Sequence, residues 1–173
     1  MSSAVHKPDR RLDDPKELLL GFLDYYRSVI ARKIDGLTDS EMRESRLPSG
    51  WTPLELLKHL VYMERRWLRW GFCAEPIPDP RGDEDQAGRW HAGPGDTAAD
   101  LIAALHAAGE QTRAIASAAE MADVSASGGR FTDNDTRPRP TLAWILVYVL
   151  QEYSRHAGHL DVARELVDGT TGE

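Results

Sequence analysis

Several features are scarce in this 173-residue chain, and their scarcity narrows what the protein can be. A single cysteine, Cys73, excludes an internal disulfide and suits a reducing compartment such as the cytoplasm. No apolar run reaches the roughly 18 residues that a transmembrane helix needs. No basic cluster stands out, and the formal net charge is −7, which argues against nucleic acid as the main partner. The sequence therefore predicts a cytoplasmic protein that binds neither a membrane nor nucleic acid.

The alternating pattern of β-strands is also missing, whereas four segments repeat apolar residues with helical spacing. Asp14 and Thr52 each precede a proline, which is typical of a helix start. The first two helices are predicted over residues 14–36 and 52–70, the third begins near residue 96 or 97, and the fourth covers residues 141–167. We expect an all-α fold, a four-helix bundle at about residues 14–168 within one domain of residues 1–173.

Two predicted connections are longer than a helical bundle requires. Residues 73–95 are rich in proline and glycine, and residues 123–139 are rich in serine, glycine, aspartate and proline. Loops above roughly 12–15 residues are usually functional or disordered. Each loop is therefore either a mobile acidic segment or a wall beside a site at one end of the bundle. Trp90 and His91 are the candidate wall residues.

Two side chains that can bind metals interrupt the apolar stripe of the fourth predicted helix. Glu152 and His156 are four residues apart and so share one helical face. They continue a stripe roughly 80° wide that includes Leu142, Ile145, Val149 and Leu160. Burying a carboxylate is costly unless something pairs with it. The partner must be either a cation of the protein or a metal ion.

His59 adds a third ligand-type side chain, on the apolar side of the second predicted helix. Three inward ligand-type residues on two helices favour a metal site over isolated core residues. Imidazole and carboxylate ligands suit Zn²⁺, Ni²⁺ or Fe²⁺ and do not select among them. Three protein ligands leave a coordination position open, as in catalytic sites. The alternative is a metal-free polar cluster in which Arg155 pairs with Glu152.

Two segments resemble the DinB-like superfamily of four-helix metalloproteins, and within it the actinobacterial group related to mycothiol-dependent enzymes such as maleylpyruvate isomerase. Residues 50–60, GWTPLELLKHL, are similar to the start of the family's second helix and contain its first metal histidine. Residues 152–161, EYSRHAGHLD, are similar to its last-helix motif. The resemblance covers about residues 14–168 and implies a DinB-like four-helix bundle with long connecting loops.

For the site, the resemblance implies a metal triad of His59, Glu152 and His156. Many members have a histidine at the position of Glu152, and the glutamate is similar to the maleylpyruvate isomerase branch. His159 lies where many relatives have glutamine. It either contacts a metal ligand without binding the metal itself or is an alternative ligand. The family implies a divalent metal (Zn, Ni or Fe) that binds and deprotonates a mycothiol-type thiol for transfer to an electrophile.

Arg66 is the candidate for contacting an anionic group of a substrate. It lies on the same helical side as His59, about two turns further along the helix. The alternative is an arginine that is solvated or ion-paired at the surface.

Three hypotheses for the function remain open at this point. The first is a metal-dependent thiol S-transferase or isomerase whose partners are a small-molecule thiol and an electrophile. The second is a non-catalytic metal-binding protein of stress or detoxification, and the third is a structural helical bundle with a buried polar cluster. The joint triad favours the first two. A helical face left apolar by the bundle would allow a homodimer.

Overall fold

Four long helices and one short helix form the fold in a computed structural model, which describes residues 6–171. The helices are α1 Pro15–Ile34, α2 Asp39–Arg43, α3 Pro53–Trp67, α4 Ala98–Ser117 and α5 Leu142–Asp168. Helix α1 packs against α4 and α5, and α3 packs against the same two helices. No β-strand occurs within residues 6–171. The prediction of an all-α bundle is confirmed.

Side-chain caps begin the long helices at the predicted places. The Asp14 carboxylate accepts a hydrogen bond from the Glu17 backbone N–H at the start of α1. At the start of α3, Thr52 and Glu55 each accept a hydrogen bond from the other's backbone N–H. Such caps satisfy backbone donors that have no partner inside the helix. Gly169 ends α5 with a φ of 75°, a conformation that glycine adopts without a steric penalty.

Two local features differ from the prediction. The short helix α2 was not predicted; Thr38 caps it and shares a reciprocal capping box with Glu41. The predicted second helix, expected to continue to about Trp70, is α-helical only to Trp67 and then changes to a π-helical turn over Leu68–Phe72. Wide π-turns leave carbonyls shifted from their usual partners and occur frequently at functional sites.

A buried polar cluster joins all four long helices inside an otherwise apolar core. Glu64 of α3 accepts hydrogen bonds from Arg27 of α1 and from the Thr112 hydroxyl of α4. The hydroxyl of Tyr153 on α5 donates to the same carboxylate at 2.5 Å. Each of the four residues is at most 5% exposed. We call Arg27, Glu64, Thr112 and Tyr153 the core polar cluster.

None of the helices within residues 6–171 combines the length and the apolarity needed to cross a membrane.

Candidate metal centre

His59, Glu152 and His156 meet where α3 and α5 pack together. The Nε2 atom of His156 lies 3.4 Å from Glu152 Oε2, and the Nε2 atom of His59 lies 3.9 Å from the same oxygen. One ligand atom from each of the three residues can be chosen so that all lie within 4.8 Å of one another. The two helices thus place the predicted triad in one small cluster.

The donor set and its dimensions fit a divalent metal ion. A tetrahedral site with bonds of about 2.1 Å separates neighbouring ligand atoms by about 3.4 Å, close to both imidazole–carboxylate distances. Burial lowers the pKa of His156, and the neighbouring His59, His159 and Arg155 add to this effect, which brings the pKa to about 3. His156 is therefore a neutral imidazole at physiological pH, the form that binds metals.

No lysine or arginine within residues 6–171 is paired with the carboxylate of Glu152. Its residue is only 9% exposed. Within residues 6–171, its ion-pair contacts are limited to the two imidazoles, and Arg155 makes no ion pair with it. Since His156 is neutral, it does not supply the missing charge. A buried carboxylate in such surroundings is costly unless a cation joins the cluster.

A second carboxylate, Asp83, fixes the orientation of His59. Asp83 Oδ2 lies 3.0 Å from His59 Nδ1, and the residue is fully buried. Burial raises the pKa of Asp83, but the hydrogen bonds from His59 and Arg66 outweigh it and hold this pKa below its usual value. An ionised carboxylate at Nδ1 favours the tautomer that carries its proton there, and a neutral ring of that tautomer would leave Nε2, the atom nearer Glu152, free to bind a metal. Metal-binding histidines commonly have such a carboxylate behind them.

The loop over residues 73–95 forms a wall of this cluster. The His91 backbone N–H donates to the Asp83 carbonyl at 2.8 Å, and Glu84 and Trp90 form an isolated antiparallel bridge. This turn brings Trp90 onto His59, where the two rings stack with centroids 4.3 Å apart. Of the two expected wall residues, Trp90 covers the cluster, whereas the side chain of His91 is exposed.

His159 lies directly behind His156. The Nδ1 atoms of the two rings are 3.2 Å apart, which allows one to donate a hydrogen bond to the other. Burial and Arg155 lower the pKa of His159, which favours its neutral, accepting form. A metal bound at Nε2 of His156 would leave the ring proton on Nδ1, which would then donate to His159. Of the two roles expected for His159, this geometry favours the support of His156 over direct metal binding. That role stays a prediction.

Arg66 is buried beside the cluster, with its guanidinium bonded to the Asp83 carboxylate and to the Pro80 carbonyl. Its predicted contact with a substrate anion stays a prediction, but its N–H groups already stabilise the loop.

Asp83 was not predicted, because it lies in an irregular segment 24 residues beyond His59. The only available signal was an acidic stretch beside Trp90, which has no helical period to define its direction.

Comparisons with known proteins agree with this architecture. A family model described as mycothiol-S-transferase matches residues 18–169. The crystal structure of the conserved protein of locus from Enterococcus faecalis is similar, with a TM-score of 0.62 and 20% sequence identity, over 90% of this chain and 98% of that chain. At that identity the likeness shows the fold alone. The search of curated proteins finds no match.

Proposed function

The chain belongs to the mycothiol-S-transferase family, a DinB-like family, and from that premise we propose that it is a divalent-metal-dependent thiol S-transferase. Its thiol substrate is mycothiol or a similar low-molecular-weight thiol, and its second substrate is an electrophile. His59, Glu152 and His156 hold the metal, which is Zn²⁺, Ni²⁺ or Fe²⁺.

The observation that carries this proposal is the unbalanced carboxylate of Glu152. Two imidazole nitrogens point at it, and no arginine or lysine within residues 6–171 pairs with it. A purely structural polar cluster would place a cation on such a group, as the core polar cluster places Arg27 on Glu64. The metal-free bundle is therefore the weaker hypothesis.

The bound metal would supply the charge that deprotonates a coordinated thiol, and the thiolate is the nucleophilic form. The protein contributes the surroundings for that step. The triad carries one negative charge, so the loaded site stays positive towards an anionic ligand. Asp83 holds His59 in the required tautomer. Trp90 shields one face of His59 from water. Three protein ligands leave room for the thiol.

The test is metal content by mass spectrometry on untagged, undialysed protein, with His59→Ala and Glu152→Ala alongside. We expect about one equivalent in the wild type and a loss in both variants. His91→Ala is the matched control, because it removes an exposed imidazole from the same region and should retain the metal. Equal metal content in all four proteins would refute the triad.

A second measurement separates catalysis from the alternative of a non-catalytic metal-binding protein. Loaded protein is mixed with mycothiol and a set of electrophiles, and consumption of thiol is followed. Metal-dependent consumption that Glu152→Ala abolishes supports the transferase. Stoichiometric metal without any thiol binding would instead favour the non-catalytic protein.

A further inference from the structure

Arg130 places its guanidinium against aromatic rings beside the candidate metal centre. Its Cζ atom lies 4.1 Å from the ring centroid of Trp67 and 5.9 Å from that of Phe131. Trp67 is the last residue of α3 and also packs on Tyr148 of α5, with ring centroids 4.3 Å apart. The guanidinium therefore lies on the same aromatic layer that connects α3 and α5.

The π-helical turn after α3 holds Arg130 in this place. The Trp70 carbonyl accepts a hydrogen bond from the Arg130 backbone N–H at 3.0 Å, and the Phe72 carbonyl accepts one from Ala126 at 2.8 Å. Gly129 allows the close approach, because a Cβ there would lie 2.0 Å from the Trp70 oxygen. The backbone beside Arg130 is thus fixed from both sides, although it belongs to a long loop.

The guanidinium itself lacks an anionic partner. Among the described residues, its N–H groups donate no hydrogen bond, and no carboxylate lies within ion-pair distance. Burial lowers the pKa of Arg130, and the positive charges of Arg66 and Arg81 lower it further; Tyr148 and Glu84 act weakly in the opposite direction. A stacked arginine uses one ring face and keeps its edge donors available. A half-buried cation without an acceptor is a ready anion site.

The neighbouring Arg66 and Arg81 already form ion pairs with carboxylates of the protein. Arg66 pairs with Asp83, and Arg81 pairs with Glu84. They add positive potential around Arg130 without competing for the same ligand. Of Arg66, Arg81 and Arg130, only Arg130 has no carboxylate within ion-pair distance among the described residues.

Tyr148 connects this cation to the metal centre. It lies one turn before Glu152 on α5. Its ring packs on Trp67, on which the Arg130 guanidinium also stacks, so Trp67 and Tyr148 link Arg130 to the helical turn that carries Glu152. A ligand that binds at the triad and extends past Tyr148 would reach Arg130.

We infer that Arg130 binds a carboxylate of the substrate that the metal centre holds, an inference that rests on the proposed function. The planar fork of a guanidinium matches one carboxylate through two parallel hydrogen bonds. Stacking on Trp67 keeps that fork in one plane. The carboxylate belongs either to the thiol or to the electrophile, and Arg130 is a specificity-determining residue in both cases.

The first arm of the test uses a thiol with and without a carboxylate. N-acetylcysteine and N-acetylcysteine amide are titrated into the zinc-loaded full chain by calorimetry. If the carboxylate is on the thiol, the wild type binds the acid about ten- to a hundredfold better, the range expected for charged hydrogen bonds, and Arg130→Gln loses this preference. Arg81→Gln removes the same charge nearby and should retain it. Arg130→Lys, which keeps charge without the fork, should retain a smaller preference.

The second arm uses a carboxylate that has no thiol. Propionate and propionamide are compared by saturation-transfer NMR on the loaded and on the metal-free protein. Propionate binding that Arg130→Gln abolishes, without a preference in the thiol arm, places the carboxylate on the electrophile. If both arms depend on Arg130, both carboxylates use one guanidinium, and competition between propionate and N-acetylcysteine assigns the carboxylate to the thiol; simultaneous binding would contradict a single site at Arg130.

The inference is overturned if neither arm shows a carboxylate preference that Arg130→Gln removes while the variant keeps its fold by circular dichroism. Failure of the proposed function would look different. In that case the wild type would bind no metal or no thiol, and the propionate arm on metal-free protein would still decide the role of Arg130.

Discussion

Replacing Asp83 by asparagine tests how far the metal centre depends on a residue that is not a ligand. The substitution keeps the size of the side chain and removes its charge. In the structure, Asp83 contacts Nδ1 of His59, and this contact favours the tautomer that leaves Nε2, on the side of Glu152, free to bind a metal. An asparagine can turn its amide NH₂ towards His59 and favour the wrong tautomer. Loss of such a supporting carboxylate typically lowers metal affinity about 10–100-fold.

The same substitution also affects stability, because Asp83 is the ionic partner of Arg66. Asp83 is 0% and Arg66 5% exposed. Removing one member of a buried ion pair costs about 3–5 kcal/mol. For a domain of this size, each kcal/mol lowers Tm by roughly 2–4 °C, so we expect a decrease of about 6–20 °C.

The two effects are measured separately. Metal affinity is determined by competition with a chromophoric chelator at a temperature where both proteins are folded, and stability by urea unfolding of the metal-free proteins. Asp79→Asn is the control, since Asp79 is an exposed carboxylate in the same loop with a φ of 41°, which asparagine tolerates. An Asp83→Asn protein that binds metal within about twofold of the wild type would refute the proposed role of this contact.

Three further predictions concern the frame around the centre. Glu64→Gln should destabilise the protein by about 3–5 kcal/mol in urea unfolding, because it leaves Arg27 buried without its counter-ion. The control Glu17→Gln removes an exposed ion pair and should cost less than about 1 kcal/mol. Gly129→Ala should lower Tm through the clash with the Trp70 carbonyl, and an unchanged Tm would contradict the tight packing of that loop. Trp90→Ala should accelerate metal removal by a chelator in stopped-flow measurements, because it uncovers the face of His59; an unchanged rate would show that Trp90 does not shield it.

The helices and the triad were predictable because both depend on local periodicity. Caps such as those at Asp14 and Thr52 act within one turn, so their residues suffice to locate the helix starts. Glu152 and His156 share a face by spacing alone, and His59 follows from the apolar side of its own helix. Once three helical positions face the core, the bundle brings them together with few alternatives.

The supporting residues were not predictable for a physical reason. Asp83 and Arg130 lie in irregular segments, where no repeat defines the direction of a side chain, and Trp90 could be named only as one of two candidate wall residues. Their positions depend on tertiary contacts, such as the hydrogen bond from Arg130 to the Trp70 carbonyl. That carbonyl is available because the backbone changes from α- to π-helical after Trp67, a change that helix propensities do not indicate.

The bundle contains two buried carboxylates whose surroundings differ in a way that bears on function. Glu64 receives hydrogen bonds from Arg27, Thr112 and Tyr153, so its charge is balanced by the protein itself. Glu152 faces imidazole nitrogens, and no lysine or arginine in the described part of the chain is paired with it. The same fold can therefore supply a cation to a buried carboxylate, and at Glu152 it does not. Because burial is costly for both groups, the arrangement at Glu152 supports the proposal that a cation from outside the protein binds there.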